Sequence, residues 1–531
     1  MAIIKQKSKG RTYIYESRSY RNEEGKPRTM KKIIGKIDPT TGKRIYKKEY
    51  LERKKAESTP IEAEQDEKSY PTSAIKKSEI KNYGAYYLYN RIAEKIGLTD
   101  LLREVFPDNW QQIQNIACYL VTSGEPVMYC IDWAEQTEIL ACNGMSPTSI
   151  SNLFKEITIN ERNEFFGKWS KHRCEQEYLA LDITSVSSYS ELIESVEWGY
   201  NRDKEKLAQI NLCLLMGEES GLPVFQTLYN GSLKDVSTLT TTLQLVSSLA
   251  INKIALVMDK GFCSIKNVDA MLADKHGLRF LISVPFNLTF AKERVSEEKP
   301  YIDCIENIVL IGNDSLHAVT RVCTWGKEKV FTHIYYNAIH AANVKEDLYA
   351  NIASVLNTMK NNPSYVLGQS SFKKYIRVIK PDLACESLGL VDTIEVNYVE
   401  VEKTLAHAGW LVIVSNHVSD AFDAISIYRA KDVVEKGFLG MKNSLELGRL
   451  RVHSDVSTQN KVFICFIALI FRCFIHRVML NKGLYCKMTL KKLVLTLDKL
   501  KVQYISGDRI LFPLSKDQKD IYDAFDFVFP L

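Results

Sequence analysis

Five short apolar runs between residues 178 and 284 constrain the fold of this chain more than any other feature. The runs are 178–184, 207–216, 222–228, 253–258 and 279–284. Their length, and the Gly, Pro and Asn residues that bound them, are typical of buried strands. The first three follow one another across polar turns. A helix-like segment precedes each of the last two, at 236–249 before the fourth run and at 264–273 before the fifth. This order predicts a mixed α/β sheet with buried central strands.

Two of the apolar runs deliver an aspartate. Asp182 ends the apolar first half of the first run, and Asp259 directly follows the fourth. A carboxylate in such a position costs free energy unless it is paired, capped or bound to a metal. A helix or turn cap is one interpretation. The other is a ligand of Mg²⁺, which prefers carboxylate oxygens.

A third acid, Glu435, lies in a segment with helical periodicity. Asp423, Ile427, Lys431 and Glu435 recur every four residues, so they are predicted to share one side of a single helix. A carboxylate one turn after a lysine is often only a solvated ion pair. Three carboxylates on a sheet-and-helix scaffold are also what a two-metal phosphoryl-transfer site needs. The residues alone leave both interpretations open.

The charge of the chain is concentrated near its start. Residues 1–50 hold 15 Lys and Arg against 5 Asp and Glu, a net charge of +10, whereas the whole chain carries +6. The remaining residues therefore carry −4. A basic block on a nearly neutral body indicates a polyanionic partner, with nucleic acid the first choice.

The cysteines and the apolar segments narrow the class of protein. Twelve cysteines are scattered singly, without a Cys-x2-Cys pair. This argues against a zinc site and a disulfide framework, and it fits a reducing cytosol. The apolar run 462–471 stops at Arg472 and is predicted to be a buried helix that is too short to span a membrane. No signal-peptide core is expected at the start.

The segment 428–442 resembles the signature of one branch of the DDE transposases of bacterial insertion sequences, Tyr-x2-Arg-x3-Glu-x6-Lys. Tyr428, Glu435 and Lys442 match it position by position, and Lys431 stands where the signature has arginine. Lysine keeps the charge but lacks the bidentate fork of a guanidinium. The resemblance extends to residues 181–185, 257–262, 221–223 and 230–232, and to Asp235.

The resemblance implies an RNase H-like mixed-sheet catalytic core that a β-rich insertion interrupts before the last acid. It implies that Asp182, Asp259 and Glu435 are catalytic and bind two divalent ions, Mg²⁺ or Mn²⁺. Tyr428, Lys431 and Lys442 would contact DNA phosphates near the cut. The implied function is a cut-and-paste transposase that acts in the bacterial cytoplasm, at the nucleoid. Its partners would be double-stranded DNA, as terminal inverted repeats and target, and a second copy in a homodimer on paired ends.

Two other functions remain open. A DNA-binding relative that has lost catalysis would act as a repressor, but the intact acidic triad argues against it. A two-metal nuclease or phosphatase without strand transfer would use the same acids, so the acids alone do not exclude it.

The predicted organisation follows the changes in pattern along the chain. The boundaries are 1–50 for a basic, DNA-binding β-meander, 51–83 for a charged helix and linker, 84–171 for a helical region, 172–286 for the first part of the core, 287–407 for the β-rich insertion, 408–480 for the second part of the core and 481–531 for the C-terminal region.

Several elements are predicted inside these regions. In the helical region, 148–154 is a helix capped by Ser149 or Ser151. The insertion has strands at 302–312, 317–325, 329–336 and 393–401 and a helix at 342–360, and the sheet resumes at 410–415. The C-terminal region has a helix, a strand around 509–512 and a final helix.

Overall fold

The computed structural model describes most of the chain in two compact units, residues 1–77 and 78–531. The described residues are 2–8, 11–21, 27–39, 43–50, 78–171, 177–248, 254–275, 277–312, 314–359, 372–379 and 393–529. Most of the segment predicted to be a charged helix and linker, 51–77, lies outside them.

The first unit is a four-stranded antiparallel sheet with neighbouring strands in chain order. Its strands are β1 (Ala2–Ser8), β2 (Arg11–Arg21), β3 (Pro27–Ile37) and β4 (Arg44–Tyr46). Ile14 and Ile34 are almost fully buried, whereas Lys31, Lys32 and Lys36 are exposed. The alternation that predicted a β-meander therefore corresponds to a small core with lysines facing solvent.

The second unit begins with a strand and six helices. They are β5 (Glu79–Asn82), α1 (Gly84–Lys95), α2 (Leu98–Val105), α3 (Trp110–Ser123), α4 (Cys130–Gln136), α5 (Pro147–Glu156) and α6 (Ile159–Lys171). Helix α5 begins earlier than predicted, because Ser146 is its cap and the Ser146 side chain accepts a hydrogen bond from the Ser149 backbone N–H. The choice of Ser149 or Ser151 as cap was wrong, since Pro147 fits the first helical position.

The remaining strands mostly belong to one large sheet. They are β6 (Tyr178–Ser187), β7 (Gln209–Gly217), β8 (Pro223–Asn230), β9 (Ala255–Met258), β10 (Arg279–Ser283), β11 (Ile308–Ile311), β12 (Asp314–Trp325), β13 (Glu328–Tyr336), β14 (Ile376–Ile379), β15 (Thr393–Val396), β16 (Trp410–Ser415), β17 (Lys501–Ile505) and β18 (Asp508–Leu511).

The large sheet has nine strands in the order β11-β12-β13-β16-β10-β9-β6-β7-β8. Strands β6, β7 and β8 are antiparallel neighbours, whereas β9 is parallel to both β6 and β10. Every residue of β7 and of β9 is buried. The prediction of a large mixed sheet with buried central strands is therefore confirmed.

Ten further helices accompany the sheet within the described residues. They are α7 (Asp235–Ser248), α8 (Ile265–Leu272), α9 (Thr289–Glu298), α10 (Ala338–Met359), α11 (Tyr398–Leu405), α12 (Ala421–Ala430), α13 (Asp432–Ser444), α14 (Asp455–Asn481), α15 (Leu490–Leu497) and α16 (Lys516–Ala524).

Helix α14 is the central core helix of this unit. Residues 462–471 are at most 1% exposed, so the predicted buried helix is present. The helix is longer than the apolar run, at 27 residues with a mean hydropathy of 2.1 over its most apolar stretch, and 72% of that stretch is buried. Its length and composition alone would suffice to cross a membrane, contrary to the sequence-based estimate, but its surroundings are those of a core helix.

The segment predicted as a β-rich insertion contributes to the main sheet. Strands β12 and β13 pair in register, and β13 pairs with β16 from Phe331↔Ser415 to Tyr336↔Trp410. Strands β14 and β15 form a separate two-stranded sheet. The strand predicted at 393–401 is shorter, because α11 begins at Tyr398. Near the C-terminus, β18 and β17 form a three-stranded sheet with β5.

Candidate active site

Asp182 on β6 lies beside Asp259, which directly follows the adjacent parallel strand β9. The residues before them, Leu181 and Met258, are register partners in the pairing of β6 with β9. Strand β9 ends at Met258, whereas β6 continues to Ser187 against β7, where Asp182 pairs with Leu214. The strand predicted at 178–184 is therefore longer than expected, and Asp182 lies inside it, because β7 pairs with β6 beyond the end of β9. Neighbouring strands are about 4.8 Å apart, so the backbones of the two aspartates are close together.

Asp182 is a largely buried carboxylate. Burial raises its pKa to about 6, and the hydrogen bond from the Ile183 N–H and the charges of Arg202 and Lys431 act in the opposite direction. The Ile183 nitrogen is 2.8 Å from Oδ1. A buried acid with this environment is stabilised by any additional cation.

Asp259 accepts two hydrogen bonds on one oxygen. Its Oδ1 receives the backbone N–H of Lys260 at 2.8 Å, which caps a 3₁₀ turn, and the hydroxyl of Tyr428 at 2.7 Å. Burial and the charge of Asp259 raise the pKa of Tyr428 well above its ordinary value, so the phenol stays protonated and donates. The cap predicted for Asp259 as one alternative is present, and it leaves Oδ2 without a hydrogen bond from the described residues.

The helix predicted to run through Lys431 consists of two helices. Helix α12 ends at Ala430 and α13 begins at Asp432. At the junction the Val434 N–H bonds to the Lys431 carbonyl, a three-residue spacing that interrupts the α-helical ladder. The single helix was therefore wrong, although Lys431 Nζ still lies 3.7 Å from Glu435 and 5.2 Å from the centroid of the Tyr428 ring.

Glu435 lies at the rim of the site. Its helix packs closely on β7, because a Cβ at Gly437 would collide with Sδ of Met216 and lie 3.2 Å from Cδ2 of Leu214. The Glu435 side chain is 55% exposed and has Lys431 as its ionic partner. In the described part of the chain, no three His, Cys, Asp or Glu residues are close enough to hold a metal ion. The structure thus brings together Asp182, Asp259 and Tyr428 and leaves Glu435 outside that group.

Lys442 makes a contact that the sequence did not indicate. Its Nζ lies 2.7 Å from the carboxylate of Asp203, and the Lys442 side chain is only 13% exposed. Asp203 belongs to the loop between β6 and β7. A DNA phosphate would therefore compete with Asp203 for this ammonium group.

Sequence reasoning assigned no role at this site to Arg202 or Asp235, although the resemblance extended to Asp235. Arg202 forms an ion pair with Asp235, and both charges act on Asp182. Asp235 is also close to the turn that follows Asp259, because a Cβ at Gly261 would lie 3.1 Å from its carboxylate. The run of alternating charges at 202–206 was a signal, but a polar turn explains it equally well from sequence alone.

Comparison with known proteins gives one strong result. The model of a family described as the transposase DDE domain matches residues 173–471, more than half of the chain. This range contains Asp182, Asp259 and Glu435. A search among curated proteins found no match.

A solved structure similar to this chain is a cryo-EM structure of the piggyBac transposase synaptic complex with hairpin DNA. The two share 11% sequence identity over 66% of this chain and 57% of that chain, with a TM-score of 0.36. This chain therefore spans little more than half the length of that protein, and at such a TM-score the likeness carries no argument about fold or mechanism.

Proposed function

The chain belongs to the transposase DDE domain family, and from that premise we propose that it cleaves the ends of an insertion sequence and transfers the strands to target DNA. The observation that carries this proposal is the position of Asp182 on β6 beside Asp259 at the end of the parallel strand β9, with the Tyr428 hydroxyl bonded to Asp259. Two carboxylates in this arrangement suit phosphoryl transfer, which depends on positioning and charge stabilisation.

Domains of this family generally use divalent metal ions. Bound at this site, Mg²⁺ or Mn²⁺ would activate the attacking water or hydroxyl and stabilise the leaving oxygen. The donor set fits such ions, because Asp182, Asp259 and Glu435 offer only carboxylate oxygens. We propose that these three residues hold two ions, with Glu435 completing the set when DNA is bound.

The side chains around the acids have separate roles in this proposal. Tyr428 fixes the orientation of Asp259 through its hydroxyl. Lys431 lies between Glu435 and the Tyr428 ring, where its ammonium can meet a phosphate. Lys442 remains a candidate for a phosphate contact, in exchange for Asp203. Burial of Asp182 excludes water from one side of the site.

We further propose that β6 to β10 are the five strands of an RNase H-like core. The support is that β6, β7 and β8 are antiparallel neighbours, while β9 and β10 are parallel to β6 on its other side. The core resumes at β16 and includes the helices that carry Tyr428 and Glu435. The predicted domain boundaries, including the interruption between residues 287 and 407, belong to this proposal.

The partners we propose are double-stranded DNA and a second copy of the chain. The DNA comprises the terminal inverted repeats and the target, and the basic unit of residues 1–50 adds sequence-independent affinity. A homodimer on paired ends, in the bacterial cytoplasm at the nucleoid, is the expected form.

Cleavage of a supercoiled plasmid tests this function. The plasmid carries the inverted repeats that flank the gene, and the matched control carries scrambled repeats. We expect Mg²⁺-dependent cleavage at the repeat boundary of the first plasmid only. Equal cleavage of both plasmids would indicate a general nuclease, and binding of the repeats without cleavage would indicate a repressor.

A further inference from the structure

The connection between β6 and β7 is a long loop whose backbone is held in place. The buried side chain of Gln209 donates a hydrogen bond to the Tyr200 carbonyl at 2.9 Å. The hydroxyl of Ser185, also buried, accepts from the Arg202 N–H at 3.2 Å. Asn201 accepts from the Asp203 N–H at 2.9 Å. These neutral hydrogen bonds hold the segment around Arg202 in addition to its ion pairs.

Three ion pairs, made by residues 202, 203 and 205, connect this segment to three other parts of the fold. Arg202 pairs with Asp235, the first residue of α7. Asp203 pairs with Lys442 on α13 at 2.7 Å. Glu205 pairs with Arg449, also at 2.7 Å. The second and third pairs attach the loop to the side of the site that carries Glu435, while the first lies beside the two aspartates.

Arg202 faces a cavity of about 500 Å³ next to the acids. The lining includes Tyr200, Arg202, Ser232, Lys234, Asp235 and Gly261. Gly261 is two residues after Asp259, so the cavity adjoins the candidate active site. Two of the lining side chains are cationic and only Asp235 is acidic, so the cavity favours an anion.

The guanidinium of Arg202 is only partly used by the protein. Among the described residues, its hydrogen bond goes from Nη2 to Asp235, although a guanidinium carries five N–H donors. The side chain is 24% exposed, as is that of Asp235. An arginine held by one carboxylate, with its other donors towards a cavity, is oriented for bidentate recognition of a phosphate.

We propose that Arg202, oriented by Asp235, binds a backbone phosphate of the DNA strand at the candidate active site. The proposal rests on the proposed function and adds a DNA contact to it. It also supplies the planar fork that is missing at position 431, where the signature has arginine and this chain has lysine. Asp235 is a positioning residue, because it acts on the phosphate through Arg202.

A scan with neutral phosphate linkages tests the contact. The probe is a duplex of the flanking terminal repeat in which one phosphate at a time is replaced by a methylphosphonate, and the full-length protein is titrated against each duplex. We expect wild type to lose affinity at several linkages. We expect Arg202→Ala to bind the unmodified duplex about ten- to hundredfold more weakly, the range for one hydrogen bond to a charged group, and to be insensitive at one of those linkages.

Two further variants separate the contact from a structural effect. Arg202→Lys keeps the charge, so it should recover part of the affinity but not the bidentate contact. Asp235→Asn should bind the unmodified duplex more weakly than wild type does, and its sensitivity to the methylphosphonate should be reduced at the same linkage only. Arg91→Ala removes an arginine that pairs with Glu94 on α1, and it should leave the scan unchanged.

The proposal is overturned if Arg202→Ala stays sensitive at every linkage at which wild type is sensitive. Thermal unfolding of each variant shows whether it is folded. Failure here would leave the proposed function intact, because plasmid cleavage by the wild type tests that separately.

Discussion

Lys431 lies at the junction of α12 and α13, between the carboxylate of Glu435 and the ring of Tyr428. Its side chain is 18% exposed, whereas that of Glu435 is 55% exposed. The spacing of four residues predicted their proximity correctly. It could not predict the break in the helix, because that break depends on how α12 and α13 pack against different parts of the sheet.

The role of Lys431 leads to a mutational prediction. Lys431→Ala should weaken binding of the DNA end and slow cleavage, because a cation next to the acids is lost, while Lys431→Arg should preserve or raise activity. A surface ion pair of this spacing contributes only about 0.3–0.5 kcal/mol. If cleavage rates of both variants on pre-cut and uncut ends match wild type, Lys431 has no role beyond that pair.

Glu218, directly after β7, carries a prediction about pH. Burial, together with the charge of Glu177, raises its pKa to about 8, and Oε1 has no hydrogen-bond partner in the described structure. Since the ordinary value is 4.5, the folded state holds a proton that the unfolded state releases between pH 4.5 and 8. The free energy of unfolding therefore falls as pH rises through this window.

Glu218→Gln removes this dependence because glutamine stays neutral. The difference in the free energy of unfolding between the variant and wild type should shift in favour of the variant by roughly 2–4 kcal/mol from pH 5 to pH 9, after allowance for partial exposure. Denaturant unfolding at several pH values measures the difference. The exposed neighbour provides the control, Glu219→Gln, which should change little. A constant difference between Glu218→Gln and wild type across this range would contradict the burial of an uncompensated carboxyl.

At the scale of elements, the local patterns predicted the strands well. The strand predicted at 410–415 matches β16, and the segments at 178–284 correspond to β6–β10 with α7 and α8. Apolar runs bounded by turns carry this information locally. The main sheet also recruits β12 and β13, which were assigned to an insertion. Strand alternation shows that a segment is extended, but not which sheet it joins, and pairing with β16 is a long-range contact.

Helix α13 depends on a glycine where it meets the sheet. In Gly437→Ala the new Cβ would displace Met216, at a cost of about 1–3 kcal/mol for overpacking, and the gain in helix propensity offsets up to about 1 kcal/mol. We expect a lower melting temperature and a loss of cleavage larger than the loss of DNA binding, since Glu435 moves with the helix.

Gly440→Ala is the matched control on the same helix. Its Cβ would lie 3.2 Å from the flexible Arg472 side chain, so the neighbour can adjust. If Gly437→Ala loses stability as expected but cleaves as well as wild type, the packing of α13 on β7 does not set the position of Glu435.

Over the whole molecule, the net charge differs between the start of the chain, residues 1–50, and the remaining residues. Residues 1–50 carry a net charge of +10, and the lysines at positions 5, 7, 31, 32 and 36 of the described strands are exposed. We expect a variant that lacks residues 1–50 to bind DNA more weakly at low salt and to show a shallower dependence of log K on log salt, because fewer counterions are released. Titrations across a salt series with repeat and random duplexes measure this. Identical slopes for the variant and the full chain would remove the block from DNA binding.

The candidate site shows what sequence reasoning can and cannot supply over long distances. Asp182 and Asp259 are neighbours because β6 and β9 are parallel and in register. The sequence predicted both strands and a mixed sheet, but not which strands pair. The contact of Lys442 with Asp203 and the pair of Arg202 with Asp235 join residues 239 and 33 positions apart. No local periodicity records such pairs, and the charges themselves are equally compatible with a solvated loop.

The central claim is that Asp182, Asp259 and Glu435 act together on DNA through divalent ions. Its most direct test is cleavage of a duplex with the flanking repeat, in Mg²⁺ and in Mn²⁺, by Asp182→Asn, Asp259→Asn and Glu435→Gln, with binding measured in parallel. We predict that each variant binds the repeat nearly as wild type does and cleaves it in neither ion. Near-normal cleavage by any one of them, and above all by Glu435→Gln, would show that the three carboxylates do not act together as metal ligands.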